Sequence, residues 1–367
     1  MKNNDKTSRD LIYLVSCAVN NTQADPARLE TMDIDAVYEL ASQHMLSAMA
    51  AMVLESAGKG NERSKQAIGL SLRRSMTFDA ARKQLFEVLE QHEIWYVPLK
   101  GNILKDLYPK YGMREMCDHD ILVDPNRLPD VRGIMNELGF SPLDENSVIH
   151  EAYFRKPYLN FEIHYQLFGE KTGEKLYRYY QNIKDRLVKT PGNDFRLHFT
   201  PEDFYIFLIT HAYRHWISGG IGLRLLTDIY IYRKNTALNE EYIAGELQKL
   251  DLTDFEEQVR SLSFHLFGGE EITSAAENML DDFLQFRPDK IYEKRILHDV
   301  QQAREKSGKM GYLLKRIFPS MEQIKEADPF FYRHKILLPL MVPYRLIRAV
   351  FTRRKRFIAE VKAFFKA

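Results

Sequence analysis

Near the start of the chain, apolar residues recur every three or four positions, the spacing that lines one face of a helix. Val37, Leu40, Ala41, Met45, Ala48 and Met52 keep this spacing across 33–56, with Asp33 placed to cap the start and Gly58 and Gly60 to close the end. Further helices are expected at 8–20 and at 62–92, the latter through Leu72, Met76, Phe86 and Leu89. The period then shortens. Residues 94–99 and 117–123 read as buried strands, with a short helix at 102–107 between them and another at 126–138 ended by Gly139. Residues 148–155 and 158–165 follow as strands separated only by Lys156-Pro157, a gap too short for a crossover, so a hairpin is expected. From Pro201 onward the pattern is helical again (201–216, 223–234, 240–250 and beyond), with Thr200-Pro201 and two acids in the first turn marking a helix start. The fold class expected is α+β: a small mixed sheet in 94–199, N-terminal helices in 1–93 and an all-helical region in 200–367.

The period-two stretch carries the candidate chemistry. Asp118 and Asp120 lie one residue apart in a strand, so both point to one face while His119, Ile121 and Val123 point to the other. Two carboxylates aimed in parallel suit a hard divalent cation that also binds phosphate oxygens. In the later strand, Asn160, Glu162 and His164 alternate with Phe161, Ile163 and Tyr165, so Glu162 can supply a third carboxylate to the same cleft. Lys100-Gly101-Asn102 sits at a strand-to-helix turn, where a helix N-terminus and a close backbone approach suit an anion. Arg114 is placed to clamp a phosphate or a carboxylate. His164 could bind substrate or orient Glu162. His119 faces the core and reads as a packed histidine, and Cys117 as a small buried residue. Downstream, Arg224 and Asp228 are spaced i, i+4 and read as an ion pair bracing the cleft, with Arg224 a further candidate for the nucleotide or acceptor.

The order Leu99-Lys100-Gly101, Leu107-Tyr108-Pro109, Arg114, Asp118-x-Asp120-Ile-Leu-Val and Glu162-Ile-His resembles an uncharacterised bacterial nucleotidyltransferase-like family of the DNA polymerase β superfamily, over roughly residues 39–232. The superfamily's usual Gly-Ser element stands here as Lys100-Gly101-Asn102. The resemblance implies transfer of a nucleoside monophosphate from a triphosphate such as ATP to an acceptor hydroxyl on a protein, sugar or small molecule, with pyrophosphate leaving. It also implies magnesium, or manganese in its place, held by Asp118, Asp120 and Glu162 as the catalytic set. Lys100, Gly101, Asn102 and Arg114 would surround the triphosphate, and His164 and Arg224 the substrates.

Composition narrows the alternatives. Lys and Arg number 52 against 51 Asp and Glu, a net charge of +1, which with no aromatic stacking series argues against long nucleic acid as a partner. Two cysteines in 367 residues make no disulfide framework and point to a reducing cytoplasm. The apolar run 11–19 after three basic residues is too short, and its lead too acidic, for a secretion signal. From Lys335 to the end stand nine Lys or Arg and one Glu, interleaved with apolar residues. That tail reads either as a terminal helix packed on its domain or as a peripheral contact with the inner membrane surface. The competing function class is a non-catalytic nucleotide-binding or interaction protein, such as a toxin-system partner or a membrane-surface biosynthesis factor.

Overall fold

The computed structural model describes residues 6–143, 147–286 and 329–344, with the single positions 308, 311, 318, 319, 321 and 324. Its centre is a five-stranded sheet in the order β1-β2-β5-β4-β3. The strands are β1 (Tyr96–Pro98), β2 (His119–Val123), β3 (Ser141–Pro142), β4 (His150–Arg155) and β5 (Leu159–His164). β2 and β5 are parallel and every other neighbouring pair is antiparallel, so the sheet is mixed as expected. A ribbon of β6 (Leu187–Lys189) and β7 (Leu197–Phe199) adjoins the outer edge of β1 through Tyr96, whose amide donates to Phe195 O at 2.9 Å.

One face of the sheet is sealed by two helices. In α5 (Glu62–Gln91), Ser71, Ser75, Phe78, Ala81, Leu85 and Leu89 form the buried stripe; in α7 (Leu128–Glu137), Val131, Ile134 and Met135 do the same. They meet Ile121, Val123, Phe161, Ile163 and Tyr153 in one apolar core. α5 starts at a reciprocal cap in which the Asn61 side chain accepts from the Ser64 amide and Ser64 Oγ accepts from the Asn61 amide. His119 stacks on Phe78 (4.5 Å between ring centroids), as its core-facing position predicts. Burial holds its imidazole well below the usual range, hence neutral.

The expected helix at 33–56 is broken. α3 (Ile34–His44) ends where Met45 turns left-handed (φ 58°), and α4 (Ser47–Ser56) begins beyond it. Its apolar spacing runs straight through the break because both halves are buried. α3 closes locally, with Leu46 N donating to Ala41 O (2.9 Å) across the left-handed Met45, and the Glu115 carboxylate accepts from the Ala48 amide (2.8 Å) at the start of α4. α4 is buried all round and packs against α1 (Lys6–Asn20), α3 and α5.

Downstream lie α9 (Pro201–Gly219), α10 (Arg224–Asn235), α11 (Glu240–Lys249), α12 (Thr253–Gly268) and α13 (Ser274–Leu284), the first three close to their expected bounds; the short helix expected at 102–107 is present as α6 (Gly101–Leu104) and a 3-10 turn (Lys105–Leu107), whereas two short helices, α2 (Pro26–Glu30) and α8 (Glu174–Tyr180), and β3, β6 and β7 were not expected as such. Residues 1–214 and 221–285 form one compact unit, in which α1 packs on α10 and α12; 215–220 and 286–367 form a second. The expectation had set 200–367 apart as one helical region. In the second unit, Ile324, Phe331 and Met341 pack together, while Phe330, Ile336 and Leu340 are exposed. The basic stretch beyond Tyr344 lies outside the described residues. No helix among the described residues is long and apolar enough to cross a membrane.

Replacing Glu115 with Ala removes the acceptor at the start of α4. A loss of about 1 kcal/mol is expected, seen as a lower urea midpoint at an unchanged slope.

Candidate functional site

The open face of the sheet is set by register. Parallel pairing of β2 with β5 puts Asp120 opposite Glu162 and Leu122 opposite His164. Asp120, Glu162 and His164 therefore share the face opposite to the α5/α7 core. The His164 ring nitrogen Nε2 lies 2.9 Å from Asp120 Oδ1 and 3.5 Å from Glu162 Oε2. Carboxylates only accept, so this nitrogen carries the proton. Burial would lower the His164 pKa, but hydrogen bonds to Asp120 and Glu162 raise it overall.

A strained turn supplies the other cation. Leu99 N and Asn102 Nδ2 both donate to the carbonyl of Asp120 (3.0 and 2.7 Å), and Asn102 N closes onto Leu99 O (3.1 Å). Between them Lys100 has φ 45° and ψ −114°, a conformation that usually demands glycine. Such strain costs about 1–3 kcal/mol and is characteristic of functional sites. It aims Lys100 Nζ at Asp120 Oδ1, 2.6 Å away. Burial works to raise the Asp120 pKa, but Lys100 and His164 outweigh it and hold the carboxyl well below the usual carboxylate range.

Asp118 is in the opposite condition. Burial, then the charges of Asp120 and Glu162, push its carboxyl up to about 6 against the pull of Lys100 and Arg224. The three acids are thus close enough to feel one another, and Asp118 lacks the direct cation that Asp120 has.

Other expected site residues are engaged within the protein. Three amides at the helix start are engaged: Asn102 N donates to Leu99 O, and Ile103 N and Leu104 N to Lys100 O, inside a four-residue helix α6 (Gly101–Leu104). Asn102 is buried and braces β2. Gly101 is required by close packing, since a Cβ there would strike Arg114 Nη1 and lie 2.7 Å from Met116 Cε. Arg114 clamps a carboxylate, that of Asp228, through Nε (2.7 Å) and Nη2 (2.8 Å). Tyr108 Oη adds a third bond to Asp228 (2.7 Å), all of it buried. The expected Arg224–Asp228 pair is therefore replaced. Arg224 Nη1 donates instead to Glu115 O (2.9 Å), and its charge reaches Asp118. The reason is reach: Asp228 points to the strand-leading loop and not along its own helix. Cys117, expected to be buried, is exposed.

His150 was missed. It pairs opposite His164 across β4 and β5, with its Nδ1 3.8 Å from Glu162 Oε2. The signal that could have found it was the hairpin loop. The loop spans 156–158, and Arg155 pairs with Leu159. Had the turn been Lys156-Pro157 alone, Glu151 would have taken the place beside Glu162.

A small mixed sheet that presents acids from two parallel neighbours on one face, with a cationic turn beside them, is the core of a nucleotidyltransferase. The chain belongs to a family described as uncharacterised nucleotidyltransferase, whose model matches residues 30–268. No curated protein and no solved structure matches it.

Two outcomes follow from this geometry. Asp228→Ala leaves the Arg114 guanidinium buried without its carboxylate, with an expected loss of about 3–5 kcal/mol in a chemical denaturation curve. Asp118 predicts a pH dependence: its folded carboxyl is raised from 3.8 to about 6, so the stability it allows is full below pH 4 and lost as pH rises through 6. In chelator, Asp118→Asn should melt at a higher temperature than the parent at pH 7, by the equivalent of roughly 3 kcal/mol at most, and the gap should close towards pH 4.

Proposed function

We propose that this protein transfers a nucleoside monophosphate from a nucleoside triphosphate to an acceptor hydroxyl, with magnesium held by Asp118, Asp120 and Glu162. The observation that carries this reading is the β2–β5 register, which sets Asp120 against Glu162 on an open sheet face. The donor set suits the ion: Asp120 and Glu162 sit side by side across the sheet, and burial with their charges pushes the nearby Asp118 carboxyl up to about 6, so added positive charge there is favourable. A divalent ion held by these residues would supply charge neutralisation for the leaving pyrophosphate and activation of the acceptor oxygen.

The chain's own residues do the rest. The new bond joins the acceptor oxygen to the α-phosphorus as the bond from that phosphorus to the bridging oxygen breaks, and pyrophosphate leaves. Glu162, partly exposed at the edge of the cluster, takes the acceptor's proton. Lys100, now on Asp120, has three donors on a flexible stem and shifts to the polyphosphate. His164 holds Asp120 and Glu162 in line from beneath. Arg114 acts through packing, by fixing the loop that leads into Asp118. Most of the rate then comes from positioning and from charge placed in advance.

Calorimetric titration of the full chain with each common nucleoside triphosphate plus magnesium tests the reading. At least one should bind, and Asp118→Ala with Asp120→Ala should weaken it more than about 100-fold, with pyrophosphate release abolished. Failure of every triphosphate to bind the parent protein would overturn it.

A further inference from the structure

The cluster around Glu162 is not purely acidic. β4 and β5 pair antiparallel with His150 opposite His164, so both imidazoles stand on the carboxylate face. Their ring centroids are 4.9 Å apart. Both meet the same oxygen: Glu162 Oε2 lies 3.8 Å from His150 Nδ1 and 3.5 Å from His164 Nε2. One donor atom from each of the three residues falls within 4.8 Å of the other two. Donors sharing one ion at about 2.0–2.2 Å stand roughly 3–3.6 Å from one another, so small side-chain rotations would close the set.

We propose that His150, Glu162 and His164 bind a first-row transition cation of the zinc type, on the acceptor side of the site. Once the cation displaces the proton from His164 Nε2, two imidazoles and one carboxylate match the preference of such ions, whereas magnesium favours an all-oxygen shell. The cluster is also shaped for entry from one side. His164 is almost fully buried, while the side chains of His150 and Glu162 keep 15% and 23% of their surface. Three protein donors leave coordination positions open, the pattern of ions that take part in chemistry and not of closed structural sites. Asp120 Oδ1, 2.9 Å from His164 Nε2, borders the cluster and links it to the acids. The proposal rests on the nucleotidyl-transfer reading and deepens it by making Glu162 the residue shared between this ion and the magnesium on Asp118 and Asp120.

The test titrates the metal-free full chain with zinc chloride and, separately, with magnesium chloride, in the parent and in His150→Ala. Zinc should bind one to one, magnesium should compete only at about 1,000-fold higher concentration, and His150→Ala should weaken zinc at least 10-fold. A zinc-soaked crystal of the parent should give an anomalous peak between the three side chains, a measurement that does not depend on the variant folding. Equal zinc affinity in His150→Ala, or an anomalous peak elsewhere, overturns the proposal. Zinc binding as described with no magnesium–triphosphate binding would sink the nucleotidyl-transfer reading alone. Triphosphate binding with zinc unaffected by His150→Ala would sink this one alone.

Discussion

The parallel pairing of β2 with β5 holds the molecule's chemistry in place, and that pairing is enforced from the opposite side of the sheet. A one-residue slip would carry Ile121, Ile163 and Phe161 to the open face and the acids into the core beneath α5 and α7. Burying an unpaired carboxylate costs several kcal/mol, and exposing each large apolar side chain costs about 1.5–3 kcal/mol more. Core packing therefore specifies the acidic cluster without touching it. His119 shows the coupling at one residue: its ring is stacked in the core while its two neighbours in sequence are acids of the site.

Concentrating three carboxylates on one face is unfavourable, and the structure offsets only part of that. Asp120 has Lys100 and His164; Asp118 has neither at contact distance and stays hard to ionise. The lysine reaches its post only because residue 100 accepts a backbone conformation normally left to glycine. Strain at Lys100 and incomplete neutralisation at Asp118 both weaken the fold. That is the arrangement expected where activity and stability pull against each other.

A buried frame keeps this poised cluster from relaxing. Arg114 ties the loop before β2 to α10 through Asp228, Glu115 ties it to α4, and Asn102 ties the Lys100 turn to the backbone of Asp120. Gly101 is the point where that frame closes, since its missing side chain admits Arg114. The cation–carboxylate pair that braces the loop is long-range in sequence, joining residues 114 and 228. It fixes two segments that the chain alone would leave independent.

Alternation within a single segment was enough to read Glu162 with His164 on one face, because strand side chains repeat every two residues; Asp118 stands one position before β2, and only its electrostatic coupling to Asp120 and Glu162 is seen. The helices α1, α5, α7 and α9 to α11 were legible for the same kind of reason, a local period that burial preserves. Partnerships across segments were not. The i, i+4 spacing of Arg224 and Asp228 suggested a pair, but Asp228 gains more from a buried bidentate guanidinium. An unbroken apolar period hid the stop at Met45, beyond which a carboxylate from a distant loop caps the start of α4. The presence of His150 beside Glu162 turned on the length of one hairpin loop, because a single added residue exchanges every side chain between the two faces of a strand.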